Sequence, residues 1–463
     1  MQLTLPPEIA LLCEKIASRV AEVGGRAFVV GGCVRDSVLG LPAKEADMEV
    51  FGLSQEALEA CLGAFRVEYV GKSFGVYKLK DAPIDIALPR QEVKVGEGHC
   101  NFDVTVDPHL SLREAASRRD FTINAMLFDP LTRELIDPFG GLPDLKKRCL
   151  RHVSEKFSED PLRVLRGMQF VARFDLAVAA ETLELCRQLS PHKLSKERLW
   201  GEWKKLFLDG KTPSRGLQFL RDTGWLAYFP ELEALIGCAQ DPQWHPEGDV
   251  WIHTLMSVDT FANKRIGDPQ EDIIVGFAVL CHDFGKPATT FVDEKGRIRS
   301  PNHEAVGEGP TRAFLSRLTN EMALIDAVVV LVTHHLQPVS FFKDNASRNA
   351  VRRLIYKVKN IDRLLRVTES DQTGLPRPTQ AVNDWFQEHI RALNLENAIP
   401  KPILLGRHLL QLGMRPSPRF KPILDAAFQA QLDGIFETEA DGIAFLKGLV
   451  AEESMAVQKK LNP

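Results

Sequence analysis

Apolar residues come in two rhythms along this chain. Near the start they form short runs, Ala27-Phe28-Val29-Val30, Met48 to Phe51, Val67 to Val70, Val76 to Leu79 and Ile84 to Leu88, each of strand length and bounded by polar or turn residues. The first run ends in Gly31-Gly32, which predicts a buried strand entering a tight turn ahead of a helix. Shorter helical stretches lie between the runs, so roughly the first 140 residues predict a mixed α/β domain. After Asp137-Pro138-Phe139-Gly140-Gly141 the rhythm changes. From Leu162 almost to the end, apolar residues recur three and four apart, the period of helices. Breakers at Thr212-Pro213, Asp241-Pro242 and Gly374-Leu375-Pro376 divide this region. The expected fold class is α+β, a mixed α/β head followed by all-helical segments, without internal repeats or low-complexity tracts.

A chain of 463 residues, 44% hydrophobic and 26% charged, is too long for one compact core, and two to four domains are expected. Its eight cysteines are scattered with no Cys-x-x-Cys pair, which suits a reduced cytoplasm and disfavours a cysteine zinc site. The N-terminus lacks a basic region followed by an apolar run, and the apolar stretches fall short of membrane-spanning length, so neither an export signal nor a membrane anchor is expected. The formal net charge of −4 is a poor advertisement for a nucleic-acid binder, yet from Asp144 to Asp222 Lys and Arg exceed Asp and Glu by about six. Gathered on one face these charges track phosphates; alternating around helices they are a solvated exterior.

Carboxylates alternate along Glu45-Ala46-Asp47-Met48-Glu49, and in a strand residues two apart share a face. Asp85 is a third acid inside the apolar run Ile84-Asp85-Ile86-Ala87, where an unpaired charge is expensive without a cation. Such oxygens suit the two divalent ions that nucleotidyl transfer uses, one activating the attacking hydroxyl and one neutralising the triphosphate. The bland alternative is an edge strand with a solvated acidic face. Upstream, the glycines of Gly31-Gly32-Cys33-Val34-Arg35-Asp36 would let backbone approach a triphosphate closely, though a Gly-Gly pair alone is usually only a turn.

These two segments, followed in order by Arg118-Arg119-Asp120-Phe121-Thr122-Ile123-Asn124-Ala125 and Glu159-Asp160-Pro161-Leu162-Arg163-Val164-Leu165-Arg166, resemble the tRNA nucleotidyltransferase and bacterial poly(A) polymerase family. The resemblance implies a polymerase β-like nucleotidyltransferase head. Asp47 and Glu45 would hold two Mg2+ ions, with Asp85 as the third carboxylate, and Gly31, Gly32 and Arg35 would face the triphosphate. Arg119, Asp120 and Asn124 would orient the incoming nucleotide's ribose and phosphates. Asp160 and Arg163, one helical turn apart, would read the Watson–Crick edge of CTP or ATP, with Arg166 in the same nucleotide-binding set. Outside that motif, a surface ion pair would be the simpler account of Asp160 and Arg163. The family normally has aspartate where Glu45 stands. An extra methylene moves the carboxylate by roughly 1.5 Å, a large change for magnesium's rigid octahedron. A register using Asp47 and Glu49 instead is disfavoured by the spacing.

Half of the twelve histidines fall between His245 and His335. His253 in Trp251-Ile252-His253-Thr254-Leu255 precedes Leu280-Cys281-His282-Asp283-Phe284-Gly285-Lys286, and His303-Glu304, His334-His335 and Glu369-Ser370-Asp371 follow. A lone His-Asp pair is more often a hydrogen-bonded core pair, but adjacent His and Asp on an apolar helix can share one cation with distant ligands. The set resembles the HD superfamily of metal-dependent phosphohydrolases. The resemblance implies His253, His282, Asp283 and Asp371 as ligands of a divalent metal (Mg, Mn, Ni, Co or Fe), Lys286 as a phosphate contact, and His303 and His334 as second-metal ligands, His335 competing for the last place.

Trp244-His245-Pro246-Glu247 and the tail, Leu404 to Leu410 and Gly413 to Pro418, extend the resemblance to bacterial tRNA nucleotidyltransferases bearing an HD domain. It implies a head over 1–142, a helical neck over 143–235, an HD domain over 236–385 and an RNA-binding arm over 386–463. The expected activity is addition of CMP and AMP to the 3′ end of tRNA or another RNA, beside HD phosphohydrolysis. A poly(A) polymerase shares the motifs, although Gly71-Lys72-Ser73-Phe74-Gly75-Val76 looks more like the CCA-adding type, and CC-only or A-only addition would turn on a loop within Arg90 to Val106 that has no legible signature. A rival of another class is an RNA- or nucleotide-binding head that has lost catalysis, leaving the HD centre as the working enzyme. Glu45 discriminates between these. In an adapted site Glu45→Asp shortens a ligand and lowers incorporation on tRNA lacking its 3′ end, in Mg2+ and in Mn2+ separately; a clear rise in Mg2+ would instead mark Glu45 as a lesion.

Overall fold

The computed structural model describes residues 2–70, 75–94, 102–192, 194–373, 379–393, 395 and 401–461. Residues 71–74, part of the loop expected within Arg90 to Val106, and the 374–376 breaker lie outside the described residues. The chain forms two compact units, Met1–Glu233 and Ala234–Pro463. The expected head and neck fall together in the first, and the HD segment and arm in the second.

Among the described residues of the first unit eleven strands follow the chain: β1 (Arg26–Val30), β2 (Ala46–Phe51), β3 (Val67–Val70), β4 (Val76–Leu79), β5 (Ile84–Ala87), β6 (Arg90–Lys94), β7 (Phe102–Val106), β8 (Leu127–Phe128), β9 (Leu135–Ile136), β10 (Cys149–Leu150) and β11 (Ala177–Val178), the last two a short parallel pair. Seven make one sheet in the order β3-β4-β5-β2-β1-β8-β9, while β6 and β7 pair as a separate hairpin. Within the sheet β2 and β5 run parallel, which sets Asp47 opposite Asp85 in register. Central β1 is buried from Ala27 to Val30, as its continuous apolar run requires, and the helix Pro7–Glu22 lays Ile9, Cys13, Ile16, Ala17 and Val20 inward at helical spacing. On β2, Ala46, Met48 and Val50 are buried, while Asp47 on the opposite face is exposed. The strand starts at Ala46, so Glu45 stands one residue ahead of it.

Head and neck share a core, which is why they do not separate. Phe121 meets Phe157 at 5.4 Å and Phe170 at 5.8 Å between ring centroids, both edge-on. Phe170 belongs to the helix Leu162–Phe174, which packs on Lys196–Asp209 and Pro213–Asp222. Gly141 begins the short helix Gly141–Lys146 so close to Thr122 that a Cβ there would lie 2.1 Å from the Thr122 carbonyl oxygen.

Among the described residues of the second unit the regular structure is helical apart from the small pair Phe291–Val292 with Ile298–Arg299. Its centre is Pro269–Cys281, buried continuously from Asp272 and packed against Val250–Asn263, Met322–Val332 and Ile361–Asp371. The stretch Met322–Lys343 is long and apolar enough to cross a membrane by length and composition. It nevertheless breaks into two helices at Thr333–Leu336, and the first buries Ile325, Val328, Val329, Leu331 and Val332 in the unit's interior. The helix Phe420–Leu432 meets Arg348–Val358 at the rim of this unit, with the rings of exposed Tyr356 and buried Phe428 4.8 Å apart.

Gly141→Ala is expected to destabilise the first unit by about 3 kcal/mol, because the added methyl meets backbone that cannot yield. Chemical denaturation of the variant checks this; an unchanged midpoint would show that the Thr122 turn can move.

Candidate functional site

A cleft of 660 Å³ in the first unit brings the sequence motifs together. Gly31, with φ of 74°, turns the chain from β1 into the helix Gly32–Val38. A Cβ at Gly31 would lie 3.2 Å from Arg119 Nη1 and 3.7 Å from Asp47 Oδ2, so the missing side chain is what lets the acid and the arginine converge. Glu45 lines the cleft beside Asp47. Desolvation by the surrounding cleft walls, with repulsion from Asp85 and Glu45, pushes the carboxyl of solvent-exposed Asp47 up against the opposing pull of Arg119. Crowded acids of this kind fit a hard divalent cation, and the donor set is all oxygen. Asp85 leans on Lys78, whose Nζ lies 2.9 Å from its Oδ2. Glu49 is turned away from such a role. It is 3% exposed and its two oxygens accept from Arg118 and Arg119.

Arg35 lines the cleft as a buried guanidinium already engaged on its inner side. Its Nε donates to Asp36 at 2.9 Å and its Nη1 to Asn124 Oδ1 at 2.6 Å, with Phe170 and Phe174 beneath the charge. Asn124 Nδ2 donates in turn to Asp120 Oδ1 at 2.9 Å, and Arg166 Nε donates to Asp120 Oδ2 at 2.6 Å. Burial opposes the Asp120 charge, but Arg166, Asn124 and the Phe121 N–H hold its carboxyl below the usual range.

Asp160 and Arg163 both line the cleft, and the Arg163 backbone N–H donates to the Asp160 carbonyl at 3.1 Å. Arg163 donates to the carbonyls of Lys156 and Arg118, both at 2.6 Å, and so ties two motif loops together. Asp160 Oδ2 accepts from Arg198 at 2.7 Å. Arg198, on the helix Lys196–Asp209, is a cleft residue that the sequence reading missed; its signal was one charge on a helix already rich in charge, distinguishable only once folding set it against Asp160.

The second unit gathers the histidines. His253 Nε2 lies 3.0 Å from Asp371 Oδ1 and 3.2 Å from His282 Nε2; His282 Nε2 lies 3.2 Å from Asp283 Oδ2; His303 Nε2 lies 3.3 Å from Asp283 Oδ1 and 3.4 Å from His335 Nε2. His253, His282 and Asp283 form one ligand-like group and Asp283, His303 and His335 another, with Asp283 common to both. The opposite nitrogens are all engaged: His253 Nδ1 on Glu247, His282 on the Val279 carbonyl, His303 on the Ser300 carbonyl and His335 on the Val332 carbonyl, at 2.7 to 2.8 Å. In the neutral rings that pattern puts the proton on Nδ1 and turns each Nε2 toward the others, where a cation in place of the Nε2 protons would find their lone pairs. Burial works against a charged His282, but Asp283 and Asp371 push its pKa up to about 10, the same negative charge a metal would answer. Gly285 is required here, since a Cβ on it would lie 1.9 Å from the His303 carbonyl oxygen.

His335 takes the place expected for His334. After Val332 the chain turns, and neighbouring residues point apart. His334 Nδ1 returns to the Val330 carbonyl at 2.9 Å, while His335, 1% exposed, enters the cluster. Glu247 is a further residue the sequence reading did not single out, accepting from His253 and also from His245 at 2.9 Å. A neighbouring cavity of 380 Å³ is lined by Lys286, Arg299 and Trp244 among others, and Lys286 Nζ bridges Asp283 Oδ2 and Gln240 Oε1 at 2.8 and 2.6 Å.

The family described as Poly A polymerase head domain matches residues 27–151, and that described as probable RNA and SrmB-binding site of polymerase A matches residues 175–236. The multifunctional CCA protein of Xanthomonas campestris pv. campestris (strain B100) is 39% identical over 319 residues, covering 67% of this chain and 75% of that protein. The chain belongs to the tRNA nucleotidyltransferase family. A second member, the multifunctional CCA protein of Laribacter hongkongensis (strain HLHK9), is 36% identical over 364 residues, covering 76% of this chain and 85% of that protein. Among solved family structures, the Bacillus stearothermophilus CCA-adding enzyme in complex with CTP aligns over 98% of this chain and 100% of its own, with a TM-score of 0.67 and 25% identity. The Thermotoga maritima CCA-adding enzyme complexed with tRNA shares the fold, with a TM-score of 0.59 at 20% identity over 97% of this chain.

For the histidine cluster, His335→Ala is expected to lower bound divalent metal in the purified protein, whereas His334→Ala leaves it near the wild-type level. Metal analysis after loading and desalting separates the two; equal retention by both variants would remove His335 from the ligand set.

Proposed function

We propose that the cleft of the first unit adds CMP and AMP to the 3′ end of tRNA, restoring or building CCA. The observation that carries this is the meeting of Glu45 and Asp47 with Arg119 across Gly31, a cation-hungry wall beside a phosphate-seeking one. Divalent cations held by Glu45 and Asp47, with Asp85 alongside, would neutralise the triphosphate and activate the attacking hydroxyl. The chain's own part is positioning. Asp120 and Asn124, locked by Arg166 and Arg35, would order the ribose side of the nucleotide. Asp160, braced by Arg198, presents an acceptor suited to the exocyclic amine shared by cytosine and adenine. Those two bases thereby gain over uracil, whose matching group is a carbonyl. Glu45 beside Asp47 in the cleft, with the nucleotide-handling residues around it, supports an adapted site over a lost one.

The second unit, in this reading, carries an HD-type metal-dependent phosphohydrolase. Four Nε2 atoms converging with Asp283 and Asp371 support it, as does Lys286 at the cavity wall, a buried positive charge suited to a phosphate oxygen.

The test offers the purified protein Mg2+, labelled CTP or ATP, and tRNAs ending before, within or after CCA. Incorporation is expected to stop at CCA, whereas a growing A tail would indicate a poly(A) polymerase. Asp47→Ala is expected to abolish incorporation while hydrolysis of bis(p-nitrophenyl) phosphate in added Mn2+ or Ni2+ stays within about twofold of wild type, the two centres lying in separate units. Equal loss of both activities in a folded variant would sink the two-site reading.

A further inference from the structure

Glu49 follows Asp47 by two residues on β2 and so shares its face, yet the two carboxylates have opposite surroundings. Asp47 is exposed, whereas Glu49 is buried with both oxygens committed, Oε1 to Arg118 Nη2 at 3.1 Å and Oε2 to Arg119 Nη2 at 3.2 Å. Arg119 also lies close to Asp47, since both reach the space left by the Gly31 side chain. One guanidinium thus has two acids within range. Charge-assisted bonds are stronger where water is excluded, so the buried partner holds it.

We infer that Glu49 is a positioning residue of the cleft: it holds Arg119 away from Asp47, leaving Asp47 and Glu45 for divalent cations and the outward edge of Arg119 for phosphate. The inference rests on the nucleotidyltransferase reading of the cleft. Without the Glu49 charge, Arg119 turns to Asp47 and competes with the cation for the same oxygens. A bystander Glu49 would stabilise the fold and leave cation affinity alone.

The experiment measures Mn2+ binding by electron paramagnetic resonance, without nucleotide, on the full chain whose histidine cluster is disarmed by His282→Ala and Asp283→Ala. Adding Glu49→Gln is expected to weaken head-site Mn2+ binding about tenfold. With the histidine cluster intact, Glu49→Gln should raise the KM for CTP more than it lowers kcat. Glu49→Asp keeps the charge and gives a smaller shift in the same direction, which preserves the test if the glutamine variant fails to fold. In an Arg119→Gln background, Glu49→Gln should cost no further Mn2+ affinity, because the competing cation is gone. Unchanged Mn2+ binding in folded Glu49→Gln, or the full loss persisting without Arg119, would overturn the assignment. Because Mn2+ binding is read without turnover, failure of this inference is distinguishable from failure of wild type to incorporate nucleotide.

Discussion

The first unit depends on a buried chain of charge running Asp36–Arg35–Asn124–Asp120–Arg166. Its members come from the glycine turn, the segment after Arg118-Arg119 and the helix Leu162–Phe174, three stretches far apart in sequence. Each link satisfies a group that would be costly to bury alone, and a missing member would leave its neighbours uncompensated. The chain therefore fixes where the cleft's walls stand. Phe170 and Phe174 under Arg35 add an apolar floor that keeps water from the links. Head and neck share one core for the same reason, since the charges that define the site cross between them.

The two units handle buried charge in different ways. In the first, arginines answer carboxylates pair by pair, and Asp47 with Glu45 is left comparatively under-neutralised at the open side. In the second, acids and imidazoles crowd around a shared centre with lone pairs facing inward. Asp283 and Asp371 are held well below the usual carboxylate range by His282 and His253 despite their burial. Both arrangements concentrate unmet negative character at a point, and such a point is where a divalent cation or a phosphate bridged by one can sit.

Much of the site was legible along the chain because strand geometry is simple. Alternation on β2 put Asp47 on the face opposite Met48, and the Gly31-Gly32 pair marked the turn that needs a positive φ. Burial and partner choice were not legible. Glu49 obeys the same alternation as Asp47 yet ends in an arginine clamp, and Arg163 prefers two backbone carbonyls to the acid one turn away. The pair His334-His335 defeats sequence reasoning outright, since adjacent residues in a turn diverge and one position decides which ring enters the cluster.

By itself the sequence determined five strands of the head sheet and the change to helices after it, the family, and the stock of chemical groups available for phosphate and metal chemistry. These follow from local periodicity and from residue types at short spacing, which do not depend on the rest of the fold. Only the tertiary structure decided which acids stay open and which are neutralised, that the cleft-lining Arg35 is already tied to Asp36 and Asn124, and that Arg198 and Glu247 orient Asp160 and His253. Those outcomes are set by distance and desolvation between residues remote in sequence, quantities that exist only once the chain has closed around them.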